Sequence, residues 1–241
     1  MSERPLALVA GVGDGLGQAV ARRFARAGHL AVLVARKEDK LRRIAAQIAA
    51  EGGEAVVRPM DLRVDDQVRA LFDDVAALGR LDVAVFNAGA QHRQPFLDIE
   101  PSMFEKVWRL GCRAGFVVGQ AAARQMVEHG RGTIIFTGAT SATRGGAEFT
   151  AFAAGKAGLR SIAQSMARSL GPRGIHVCHV IVDGAIDMPA IHERFPDLVA
   201  SLPEGGMLDT DAIAETYHAL HRQDRSAWTL EIDVRPWCET F

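Results

Sequence analysis

Three groups of residues have types and spacings that could do chemistry. The first is a glycine run. Residues 6–10 are a short apolar stretch, Gly11-Val12-Gly13-Asp14-Gly15-Leu16-Gly17 follows, and a segment of helical period comes next. Gly11, Gly15 and Gly17 meet the spacing GxxxGxG. Glycine lets the backbone turn tightly and approach a pyrophosphate with no Cβ in the way. The helix start behind it offers unpaired N–H groups and a positive dipole end. The second group is Arg36-Lys37, at the end of the second apolar run. An acidic residue there would bond the ribose hydroxyls of NAD, whereas a cationic pair suits a 2′-phosphate. Asp14, inside the turn, argues the other way. The third group can hold or move a proton. It comprises Lys156, the hydroxyls of Thr140, Ser141 and Thr150, the imidazoles of His92 and His192, and Glu148. Each of the two histidines reads more readily as a surface loop residue, and Glu148 as an acid at a helix start.

These residues need a frame. Apolar runs at residues 6–10, 30–34, 55–57, 81–86, 133–137 and 176–182 are continuous, which suits strands buried on both faces. A last run, 229–234, alternates apolar and polar residues. Between the runs, Val20, Phe24 and Ala27 share a helical face, as do Leu41, Ile44 and Ile48. Repeated β-α-β units imply an α/β fold of Rossmann type. That is a doubly wound parallel sheet in one domain over residues 1–241, with ligands beyond the carboxyl ends of the strands.

Composition narrows the class. The chain has 241 residues, 48% of them hydrophobic, and a formal net charge of −1. No bulk charge calls for nucleic acid or an anionic membrane. No apolar run reaches the roughly 20 residues of a membrane span, and residues 1–11 do not read as a secretory signal. A cytoplasmic location is expected. Cys112, Cys178 and Cys238 are too few and too scattered for a disulfide framework or a metal site, so they read as small apolar residues and no metal is expected.

The glycine turn resembles that of the short-chain dehydrogenase/reductase family, and further matches follow in the family's order across nearly the whole chain. Asp61 and Leu62, after the third run, stand where the family holds the adenine ring. Asn87-Ala88-Gly89 is similar to the end of its NNAG motif. Lys156 matches the lysine of YxxxK, and Asp183-Gly184 stands where Pro-Gly is usual. The resemblance implies a dinucleotide held by Gly11, Gly13, Gly15, Leu16, Gly17, Arg36, Asp61, Leu62, Asn87, Ala88, Gly89, Lys156, Asp183 and Gly184, with NADP(H) more expected than NAD(H). It also implies catalytic positions, and here the chain departs from the family. Ala139 stands for the serine, Phe152 for the tyrosine, Gly111 for the asparagine, and Met188 for the threonine after Pro-Gly; only Lys156 is retained. Hydride transfer to a carbonyl leaves an alkoxide that a positioned acid must protonate, and phenylalanine has no proton to give.

Three functions stay open. One is a divergent oxidoreductase acting on an alcohol or carbonyl. Another is a dinucleotide-binding sensor or oligomer partner without turnover. The last is a lyase or isomerase on the same fold. Residues 186–207, with Met188, Ile191, Phe195, Leu198 and Leu202, read as a largely apolar lid over an apolar small-molecule substrate. Long helices at about 103–129 and 150–170 resemble those that pair in the family's homodimers and homotetramers, and two tryptophans near the last strand suit an interface.

Overall fold

The protein is described by a computed structural model that covers residues 4–240. Strands and helices alternate through β1 (Pro5–Ala10), α1 (Leu16–Arg26), β2 (Leu30–Ala35), α2 (Glu38–Ala50), β3 (Glu54–Pro59), α3 (Asp65–Leu78) and β4 (Arg80–Phe86). The chain continues through α4 (Pro101–Trp108), α5 (Ala114–His129), β5 (Gly132–Thr137), α6 (Thr150–Leu170) and β6 (Ile175–Val182). It ends with α7 (Pro189–Arg194), α8 (Pro196–Ser201), α9 (Thr210–His221) and β7 (Glu231–Val234). The seven strands form one parallel sheet in the order β3-β2-β1-β4-β5-β6-β7. The order reverses beside β1, which is where a doubly wound sheet opens a crevice for ligands.

Strand residues alternate between two cores. Leu6, Leu8, Phe86 and Phe136 pack with Leu71, Val118 and Leu159 of α3, α5 and α6 on one face. Ala7, Val9, Leu33 and Val180 pack with Phe24, Ile44 and Tyr217 of α1, α2 and α9 on the other. Burial on both faces is why the runs of the inner strands are continuously apolar, while β3, at one edge of the sheet, is only partly buried. β7 sits on the sheet edge and is only partly buried, which accounts for its alternating pattern, and it is shorter than the run at 229–234.

Two local expectations change. Ala27 does not share the buried face of Val20 and Phe24, because it caps α1 and is exposed. The long helix expected at 103–129 begins at Pro101, and a π turn at Arg109–Arg113 separates α4 from α5. Gly111 lies in that turn, opposite Gly155 of α6. A Cβ on Gly111 would meet the Gly155 Cα at 3.8 Å, so the two helices pass with backbone facing backbone.

At the amino ends of the strands lies a cluster of histidines. His29 leads into β2, His176 is in β6, and His218 and His221 come from α9. The rings of His29 and His221 are 5.6 Å apart, both edge-on to Phe24, and His221 Nδ1 pairs with Thr133 Oγ1 at 2.9 Å. His176 stacks on Trp228 at 5.0 Å. Burial lowers the pKa of all four, that of His221 to about 4.

Candidate active site

The opposite end of the sheet carries the glycine turn. As β1 ends, the N–H groups of Gly11 and Val12 donate to Val34 O at 2.9 and 3.0 Å. Gly11 has φ 104°, and a Cβ there would come within 2.5 Å of the Ala88 nitrogen; on Gly17 it would come within 2.6 Å of Gly11 O. Asn87 ties the loop after β4 to this turn, accepting nothing from it but donating Nδ2–H to Gly11 O at 3.0 Å. No side chain caps α1. The turn therefore has a bare backbone and an open helix start, as a pyrophosphate requires.

A cavity of about 990 Å³ runs from Gly11, Gly13 and Gly15 past Asn87 and Gly89 to Lys156. Ala139 and Phe152 line it as apolar surface. Lys156 is buried on α6 and donates from Nζ to Thr137 O at 2.7 Å, with the Phe152 ring centroid 5.8 Å away. Burial pulls its pKa down to about 8. Gly111 lies against Gly155 and brings no side chain to the site. Ala88 and Leu62 are buried behind the walls. Met188, Ile191, Phe195 and Leu198 cover the cavity, and Met188 Sδ rests on Gly15; Leu202 is not among the lining residues.

Charges cluster near the turn. Asp14 is ion-paired to both Lys40 and Arg43 of α2, and the Lys40 bond leads the causes that hold its pKa down. Arg36 and Lys37 are exposed, without an ion pair among the described residues. Asp61 is gripped by Arg63, first of the causes that lower its pKa to about 2, and the Arg36 charge adds to them. The acid that argued against a phosphate is thus already neutralised by two cations.

Several candidates for proton chemistry lie elsewhere. His92 pairs with Gln94 at 2.9 Å and His192 with Asp187 at 2.7 Å, and neither lines the cavity. Glu148 is not in the first turn of a helix. It sits ahead of α6 at φ 64°, paired to Arg93 at 2.6 Å. Tyr217, the chain's one tyrosine, is fully buried with its hydroxyl 2.9 Å from Thr137 Oγ1, and burial raises its pKa. It stands behind the site rather than in it. Thr140 lines the cavity and donates Oγ1–H to Asp183, whose side chain is turned away from the cavity that Gly184 lines.

A second polar group under the floor escapes a reading of the sequence. Arg160, one helical turn after Lys156, forms paired bonds of 2.7 and 2.6 Å to Glu231 of β7. Glu231 also meets His179 Nδ1 at 2.9 Å, and the Arg160 bond leads the causes that lower the Glu231 pKa. The His179 ring is packed so closely under Gly138 that a Cβ on that glycine would lie 2.4 Å from it. The signals in sequence are faint: an arginine four residues after Lys156, and one of two acids in an alternating edge strand.

Comparison with known proteins agrees with this geometry. A short-chain dehydrogenase from Rhodopseudomonas palustris superimposes with TM-score 0.84 at 40% identity, covering 97% of this chain and 99% of that one. A metagenomic short-chain oxidoreductase in complex with NADP superimposes with TM-score 0.82 at 28% identity over 98% of each chain. The L-rhamnose 1-dehydrogenase (NAD(P)(+)) of Azotobacter vinelandii is 35% identical over 219 residues, 86% of this chain and 85% of that protein. The family model described as short chain dehydrogenase matches residues 5–197, and the chain belongs to that family.

Proposed function

We propose that this protein is an NADP(H)-dependent oxidoreductase of a small, largely apolar alcohol or carbonyl compound, working without the family's tyrosine. Members of the family bind a nicotinamide dinucleotide and act on small molecules, and the bound nicotinamide gives or takes the hydride. The observation that carries the reading is the single cavity joining the bare glycine turn to Lys156 beneath an apolar cover. Gly11, Gly13, Gly15, Leu16 and Gly17 would hold the pyrophosphate, and Asp61, Leu62, Asn87, Ala88 and Gly89 the adenine side. Lys156 would hold the nicotinamide ribose, and the backbone of Asp183-Gly184 the far edge of the ring. Arg36 and Lys37 would take the 2′-phosphate, with Lys40 close by because Asp14 draws it to the turn. Residues 186–207 would act as the lid. The apolar lining favours a less polar substrate than the sugar for which the Azotobacter relative is named. Exposed Phe104 and Phe116 along α4 and α5 suit a homodimer or homotetramer in the cytoplasm.

Fluorescence titration with NADPH and NADH tests the cofactor, and a panel tests turnover: cyclohexanol, 1-phenylethanol, 2-octanol, a hydroxysteroid and L-rhamnose, with the matching carbonyls. NADPH is expected to bind more tightly, and Arg36→Asp to cost it about tenfold, the scale of one charge-assisted bond. Equal affinities before mutation would overturn the NADP assignment. The empty catalytic positions at Ala139, Phe152 and Gly111 favour one other reading, a dinucleotide sensor without turnover. Tight NADPH binding with no activity across the panel would establish it.

A further inference from the structure

One hydroxyl on the cavity wall has its hydrogen-bond polarity set by what lies behind it. Thr140 follows β5 in a short 3-10 turn, lines the cavity, and donates Oγ1–H to Oδ1 of Asp183. Asp183 is 6% exposed at the end of β6, where its N–H donates to Val234 O at 2.9 Å. Its other oxygen lies 3.5 Å from Arg235. A carboxylate accepts hydrogen bonds and does not donate them, so the Thr140 proton belongs to the Asp183 side. The lone pairs of Oγ1 are what remains for the cavity. A hydroxyl held in this way receives an O–H and has nothing to offer a carbonyl oxygen. Ala139 and Phe152, which also line the cavity, bring no polar side-chain atom; Ser141 lines it too, but no carboxylate bond among the described residues fixes the polarity of its hydroxyl.

We infer that Thr140 and Asp183 are the proton-accepting pair of this site and that the pocket is built for an alcohol. The inference rests on the oxidoreductase reading and gives it a direction. The substrate O–H bond breaks as its proton passes to Thr140 Oγ1, and the proton already on Oγ1 passes to Asp183 Oδ1. The carbinol C–H bond breaks with its electron pair leaving as hydride to oxidised nicotinamide. The alcohol becomes a carbonyl, and Asp183 later returns its proton to water. A buried acid relayed through one hydroxyl thus does the work for which relatives use a phenol.

Two measurements test the pair, using Thr140→Val, Thr140→Ser and Asp183→Asn. The first follows oxidation of the panel alcohols with NADP+ alongside NADP+ affinity. Thr140→Val and Asp183→Asn are expected to slow oxidation at least about 100-fold, Thr140→Val with NADP+ affinity unchanged, and Thr140→Ser to keep most of the rate. The second needs no turnover. The alcohol oxidised fastest and its O-methyl ether are titrated calorimetrically into the NADPH-saturated protein, where no hydride can leave. The alcohol is expected to bind about tenfold more tightly than the ether, and Thr140→Val to erase that difference. An undiminished rate in Thr140→Val, or an unchanged alcohol-to-ether ratio, overturns the pair while leaving the oxidoreductase reading intact. NADP+ binding with no panel alcohol oxidised removes that reading, and the pair with it.

Discussion

The two halves of the crevice differ in how they are built. On the side of β1 to β4, the side proposed for the nucleotide, the working parts are backbone: a bare glycine turn, an uncapped helix start, and Asn87 stitching one loop to another. On the side of β5 to β7 the parts are side chains in linked sets, each built on one buried member: Asp183 with Thr140 and Arg235, and His179 with Glu231 and Arg160. Buried polar groups are costly unless every partner is present. A site left idle would tend to fill with apolar residues of similar size, which cost nothing to desolvate. The second half has phenylalanine at the family's tyrosine position yet holds these linked polar sets, even though the buried Nε2 of His179 finds no hydrogen-bond partner among the described residues. Keeping groups that costly argues for replaced chemistry over vacancy.

Breaking the nucleotide side should have the largest effect. Gly17→Val places a branched side chain where a Cβ alone would meet Gly11 O at 2.6 Å and the Val12 Cα at 2.9 Å. NADPH affinity should fall more than about 100-fold, equivalent to roughly 3 kcal/mol, in a fluorescence titration of the folded protein. If affinity survives, the turn is not where the pyrophosphate sits.

The comparison sharpens on the other side with Phe152→Tyr. This restores a phenol one turn from Lys156, whose pKa of about 8 suits a partner that must exchange a proton near neutrality. Carbonyl reduction should rise about tenfold or more, and Ala139→Ser should add more than its separate gain because the two act on one oxygen. Because the equilibrium is fixed, kcat/KM for oxidation should rise by the same factor. Adding Thr140→Val to the Phe152→Tyr protein should then cost far less than it costs the unmutated one, since the phenol offers a second route for the proton. No gain in either direction would mean that the phenol cannot reach the reacting oxygen from this position.

The smallest expected effect is on stability. Glu231→Gln weakens the bonds to Arg160 and His179, both partly shielded from solvent, and should cost about 1–2 kcal/mol. In a chain of this length that lowers the thermal midpoint by roughly 2–8 °C. No change in calorimetry would mean that these groups hold nothing in place.

How far the sequence foretells all this depends on whether a feature is local. The inner strands are legible because burial on both faces makes their runs apolar, and α6 falls on the expected 150–170 because one helical period spans it. The glycine turn is legible because its residues are consecutive. Thr140 and Asp183 are 43 residues apart, and Arg160 and Glu231 71 apart, so no spacing joins them. Their contacts exist only because β5, β6 and β7 lie side by side. The π turn is equally silent: Gly111 reads as a missing asparagine, and only its neighbour Gly155 shows that it is also where two helices touch.

The histidine cluster at the far end of the sheet sets a floor on the conditions the fold tolerates. Each ring is held uncharged, with a folded pKa below the unfolded value of about 6.5. Such a group adds stability that is fully present above that value and is lost as pH falls through the folded pKa. For His221 the window runs from about 6.5 down to about 4 and is worth roughly 3 kcal/mol. Asp82 faces the cluster and resists the loss, while Arg23 and Arg80 add to it. His179, under the cavity wall at Gly138, is pushed down by burial as well, but it stands against four such rings here, so acid should loosen the protein first from the end away from its cavity. Hydrogen exchange at pH 5 should show α9 opening ahead of α6, so that mild acidity would undo the scaffold while the crevice still held its ligand.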